Sequence, residues 1–80
     1  MEIGVVTHYF DKVGVAAIKL SGGLKVGDKI QIKGGEVDFE QTIDSMQIQR
    51  EDVKKAKAGD EIGIKVVQKA NKGYKVFKVK

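Results

Sequence analysis

Apolar side chains recur at every second position in short runs of this chain, and a glycine turn closes most of those runs. Leu24, Val26, Ile30 and Ile32 take even positions with Lys25, Lys29, Gln31 and Lys33 between them, a period that gives a strand one dry and one wet face. Ile62, Ile64 and Val66 repeat the pattern within 61–67. The runs IGVVTHYF (3–10), VAAIKL (15–20) and YKVFKV (74–79) are rich in β-branched and aromatic residues, which suit a pleated, half-buried surface. DKVG (11–14), SGG (21–23) and NKG (71–73) supply the turns between them. The chain contains no proline. Six strands separated by such turns predict an all-β fold, a small closed antiparallel β-barrel of Greek-key type with about six strands, in a single domain over residues 1–80.

Two segments depart from simple alternation. In FEQTIDSMQI (39–48), Phe39 and Ile43 share one parity while Met46 and Ile48 share the other. One regular strand cannot bury both pairs, so the spacing predicts either a bulge near Asp44 and Ser45 or a strand that bends from one part of the sheet to another. REDVKKAKAGD (50–60) is the only helical candidate, with Asp52 as a cap, and is long enough for one turn leading into Gly59. The expected core is Val5 or Val6, Ile18, Leu20, Val26, Ile30, Ile32, Ile43, Met46, Ile62, Ile64, Val66 and Phe77. Gly63, inside an apolar strand, is expected to mark a close approach of another element.

Eighty residues are near the lower limit for an unstapled core. With no cysteine and one histidine, disulfides and thiolate or Cys/His zinc sites are excluded, so the core must be apolar. No apolar run reaches the roughly 18 to 20 residues of a membrane helix, and MEIGVV lacks the start of a signal peptide. A soluble, cytoplasmic protein without a membrane partner is the expectation.

The net charge of +4 conceals an asymmetry. Residues 1–53 carry six basic and nine acidic side chains, whereas residues 54–80 carry nine lysines against Asp60 and Glu61. A polyanion partner would explain this. Lysines guarding exposed strands would explain it equally. Fourteen of the fifteen basic residues are lysine, although phosphate forks favour arginine.

LKVGDKIQI (24–32) and AKAGDEIGI (56–64) share a Gly-Asp turn placed before a strand. In the order GVV (4–6), GVAAIKL (14–20), LKVGDKIQI, TIDSMQI (42–48) and AGDEIGI (58–64), these motifs resemble the second domain of translational GTPases, the β-barrel of elongation factor Tu and initiation factor two, over roughly residues 3–79. The resemblance implies a barrel that packs against a GTPase domain and, in the tRNA-carrying members, helps to hold the aminoacyl end of tRNA. It implies that Gly14, Gly27, Asp28, Gly59, Asp60 and Gly63 are turn and packing residues. The chain has no GxxxxGK[ST] loop, so no nucleotide is expected.

For catalysis, His8 could act as a base with Asp11 and with Ser21 or Ser45 as nucleophile. On a strand, His8 points with Val6 and Phe10 while Asp11 sits in the turn, so the spacing assembles no triad and no enzyme is expected. Glu36, Asp38 and Glu40 could offer oxygens to calcium or magnesium, but they lack the spacing of a dedicated loop and read as a solvated face. No metal or cofactor is expected. The best binding candidates are Lys65, Lys69, Lys72, Lys75 and Lys78 with Tyr74 as a partly exposed ring, lysines for phosphate and the ring for a base. The main functional expectation is therefore a stand-alone module binding RNA, a ribonucleoprotein, the ribosome or tRNA through a lysine-rich C-terminal hairpin. The alternative is a protein-interaction barrel docking on a partner enzyme.

Overall fold

Every regular element among the described residues is a strand. A computed structural model describes residues 2–35 and 37–79 and contains β1 (Glu2–Phe10), β2 (Val15–Leu20), β3 (Leu24–Lys25), β4 (Lys29–Gly34), β5 (Val37–Thr42), β6 (Met46–Ile48), β7 (Glu51–Val53), β8 (Lys55–Ala56), β9 (Glu61–Lys65) and β10 (Lys75–Val79). Eight of them form one sheet in the order β5-β4-β10-β1-β2-β9-β6-β7, and β3 pairs with β8 alone. All ladders are antiparallel.

The expected closed barrel is not formed. The large sheet ends at β5 on one side and β7 on the other, and among the described residues no ladder joins these edges and β6 meets β9 through the single pair Gln47↔Gly63. The seam beside β5 is spanned by a side chain. Nε2 of Gln41 donates to the Lys65 carbonyl at 2.7 Å and Oε1 accepts the Val67 N–H at 3.0 Å. The parity conflict in 39–48 explains why the ladder stops: the chain leaves β5 after Thr42, and Ile43 exchanges backbone hydrogen bonds with the 27–28 turn, accepting from Gly27 and donating to Asp28, both at 2.8 Å. Strand pairing resumes at Met46 in a different part of the sheet, which is the second of the two alternatives read from the sequence.

Bulges settle similar conflicts in β1. Ile3 and Val6 differ in parity, yet both are buried. The ladder with β10 slips between Glu2 and Gly4, and the ladder with β2 slips between Val6 and His8, so successive parts of one strand turn different parities inward.

The core is aliphatic, with Met46 and Phe39 as its exceptions. Val6, Ile18, Ile30, Ile32, Ile43, Met46, Ile62, Ile64 and Val76 are almost wholly enclosed, and no polar or charged side chain is buried among the described residues. Ile3, Ala16, Leu24 and Ala70 join them. Burial of apolar area at roughly 25 cal/mol per Å² is the main stabilising term. Three core expectations need correction. Val26 is exposed because β3 ends before it and it belongs to the turn. Phe77 is half-buried and lies opposite Gln31, while its neighbour Val76 lies opposite buried Ile32 and fills the core. Val66 packs against the core only in part.

No helical turn forms in 50–60. Glu51–Val53 folds back on β6 through a two-residue loop, Gln49 and Arg50, with φ of 53° and 68°. Asp52 accepts a hydrogen bond from Gln47 Nε2 at 3.0 Å across that hairpin and caps nothing. Pairing to a neighbouring strand overrides a weak local helical preference.

Candidate functional site

The two Gly-Asp turns are built alike and meet in space. Gly27 and Gly59 adopt φ of 97° and 96°, a region that side-chain-bearing residues avoid. In each turn the following aspartate folds back: Asp28 Oδ2 accepts the Lys25 N–H and Asp60 Oδ2 the Lys57 N–H, both at 3.1 Å. The strands entering the turns pair with each other as Leu24↔Ala56 and Lys25↔Lys55, so the two turns flank one small ladder. Gly14 has φ of 68° at the β1–β2 turn. Gly63 occupies no tight crossing. A Cβ there would meet Val15 Cγ1 at 3.5 Å, an ordinary contact.

The lysine-rich C-terminal hairpin does not exist as a hairpin. β9 pairs with β2 and β6, whereas β10 pairs with β1 and β4, because strands adjacent in sequence are here separated by two others. Lys65 ends β9, and Lys69 and Lys72 lie in the connection 66–74. Lys75 and Lys78 sit on β10 in ion pairs with Glu2 (3.7 Å) and Asp28 (3.4 Å). Tyr74 is half-buried. It packs against the core, its ring occupies the space beside Gly34, and its hydroxyl accepts from Asn71 Nδ2 at 3.4 Å.

The other candidates are also dispersed. His8 is exposed, lies opposite Ala17, and packs its ring on Phe10 at a centroid distance of 4.4 Å. Ser21 is four residues beyond Ala17, about 13 Å along the strand, with its N–H bonded to the Ile3 carbonyl. Ser45 lies between β5 and β6, and Asp11 lies in the β1–β2 turn. No triad is assembled from them. Asp38 accepts from Gln31 at 2.7 Å and Glu40 pairs with Lys29 at 3.2 Å, while Glu36 lies outside the described residues. No group of three or more His, Asp or Glu side chains suited to a metal ion occurs among the described residues. No helix of the described chain is long and apolar enough to cross a membrane.

What the fold does gather are two contrasting ends. At one end the backbone N–H groups of Val13 and Gly14 both donate to the Phe10 carbonyl, and Val66 donates to Gly14. The backbone carrying Phe10, Val13 and Val67 therefore lies at this end of the sheet, and these are three of the four large apolar residues that are exposed among the described residues, at 47%, 59% and 70%. A cleft of about 350 Å³ runs beside Val67, between Gln41 and Ser45. At the other end a groove of about 430 Å³ follows the β3–β8 ladder, with Lys25, Lys55 and Lys78 on its rim. Periodicity found the longer strands but not this placement, since the segments carrying Phe10, Val13 and Val67 are set at one end only through the β2–β9 ladder.

No family model matches the chain. Over its full length it is 40% identical to a segment of an uncharacterized protease of Methanocaldococcus jannaschii, and it spans only 20% of that relative. Among solved structures it resembles the C-terminal domain of a Geobacillus thermoleovorans protein described as a U32 peptidase. The selenomethionine form superposes with a TM-score of 0.93 at 20% identity, covering 98% of this chain and 99% of that one. The unlabelled form gives 0.92 at 20% identity, covering 98% and 91%. These likenesses overturn the resemblance to translational GTPases, and with it the reading as a translation-related RNA-binding module. Gly-Asp turns before strands direct the backbone, and they recur wherever a small β domain needs such a turn.

Proposed function

We propose that this chain is an accessory domain of a protease-like protein, docking on a protein partner and performing no peptide hydrolysis itself. The observation that carries this reading is the pairing of two likenesses: the whole chain matches one fifth of a protein named as a protease, and the whole fold matches a domain that is C-terminal in a protein described as a peptidase. The dispersal of His8, Asp11, Ser21 and Ser45 supports a binding role over a hydrolytic one.

The apolar end is the docking face. Phe10, Val13 and Val67 are each about half to two-thirds exposed, so covering them would contribute part of the roughly 1.5 to 3 kcal/mol that full burial of such a side chain brings, and apolar residues exposed at one end suit a protein contact. The occupant is the protease portion to which such a domain is joined. Its test uses the M. jannaschii relative expressed without the matched segment. Sedimentation velocity of this chain mixed with that polypeptide should show a 1:1 complex, and Phe10→Asp with Val13→Asp should abolish it. Free sedimentation of the unsubstituted chain at tens of micromolar, where a complex held by more than about 6 kcal/mol would be populated, would refute the reading.

A further inference from the structure

The groove at the opposite end carries a charge arrangement that the fold does not explain. Lys25 and Lys55 are direct cross-strand partners. The Lys25 N–H goes to the Asp28 carboxylate and its carbonyl accepts from the Asp28 N–H, so its backbone polar groups face away from β8. Lys25 and Lys55 are therefore a non-hydrogen-bonded pair, the kind in which opposed side chains stand closest. Like charges so placed are unfavourable. The nearby Asp28 carboxylate accepts the Lys25 backbone N–H and pairs with Lys78 Nζ at 3.4 Å, and it forms no ion pair with the ammonium group of Lys25 or Lys55. Among the described residues neither Lys25 nor Lys55 has an ion-pair partner.

The rest of the groove narrows what could lie there. Ile3, Leu24 and Ala56 supply an aliphatic floor, and Gly22 and Gly23 leave it open to a backbone. The lining has no aromatic ring for a base to stack on and no arginine to fork a phosphate, the features that single-stranded nucleic acid sites use. We propose that this groove binds an extended, acidic polypeptide segment, with a carboxylate seated between the Lys25 and Lys55 ammonium groups. The aliphatic floor takes the stems of the segment's side chains, and Lys78, held by Asp28, closes the rim. This site is separate from the docking face and does not depend on that reading.

The test is a fluorescence anisotropy titration of the chain alone with a labelled octapeptide alternating glutamate and alanine, at low salt. Binding is expected, and the same peptide with glutamine for glutamate should not bind. Lys25→Gln with Lys55→Gln should weaken binding by roughly threefold to thirtyfold at low salt, as expected for losing two exposed charged partners at one site. Lys12→Gln with Lys69→Gln, which removes equal charge elsewhere, should leave it nearly unchanged. Both lysines of the pair are exposed, and circular dichroism checks that the variants fold. The peptide comparison needs no variant at all. The proposal is overturned if the glutamine peptide binds equally well, if neither peptide binds, if the two double variants lose affinity alike, or if oligouridylate displaces the peptide at equal concentration.

Discussion

The ring of Tyr74 fills the space that a side chain at Gly34 would need: a Cβ built at Gly34 would overlap the Cγ–Cδ1–Cε1 edge of that ring. The obstacle is the ring's root as well as its rim, so a small swing of the side chain would not clear it. This pair pins the connection 66–74 to β4 and accounts for the half-buried state of Tyr74.

Gly34→Ala should accordingly destabilise the fold by about 1 to 3 kcal/mol through overpacking. Urea denaturation measures it. In the Tyr74→Ala background the same substitution should cost far less, and equal costs in both backgrounds would mean that the ring is not the obstacle.

Gly63 makes the contrasting case. Its strand position suggested a close crossing, but a Cβ there finds only ordinary contact with Val15. Gly63→Ala should therefore leave stability unchanged or raise it by up to about 1 kcal/mol, by removing the entropic cost of glycine in a strand. A fall in melting temperature would count against the observed spacing.

The β6–β7 loop stores strain. Gln49 and Arg50 both hold positive φ, as a two-residue hairpin of this hand requires, where asparagine and glycine are favoured. Gln49→Asn with Arg50→Gly should stabilise the chain by about 1 kcal/mol. Thermal melting reads the change, and no gain would show that the loop carries no strain.

Gln41 bridges the open seam with its amide. Gln41→Ala should cost about 1 kcal/mol and should speed amide exchange at Val67, whose N–H it accepts at 3.0 Å. Unchanged protection at Val67 would mean that the bridge does not hold the seam.

Much of the sheet was legible because local chemistry decides it. VAAIKL maps onto β2 residue for residue, both Gly-Asp turns form, and the parity conflict in 39–48 located the point where the chain changes place. Long-range choices were not legible. Val76 and Phe77 are both apolar, and only pairing with Ile32 and Gln31 selects which one faces inward. REDVKKAKAGD lacks alternation, and its two short strands are set by pairing alone: β7 with β6 across a two-residue loop that carries no glycine signal, and β8 with β3 some thirty residues away. The lysines of 65–78 looked like one surface because they are neighbours in the chain, yet β1 and β2 lie between the strands that carry them. The family reading failed for a related reason, since turn motifs record how a backbone reverses and not what the surface binds.

The docking claim is tested most directly by hydrogen–deuterium exchange of this chain with and without the M. jannaschii relative lacking its matched segment. The account predicts slowed exchange confined to residues 10–15 and 65–68, around Phe10, Val13 and Val67, with β4 and the Lys25–Lys55 ladder unaffected. Slowed exchange over β4 and β5 with none at residues 10–15, or no change anywhere, would contradict it.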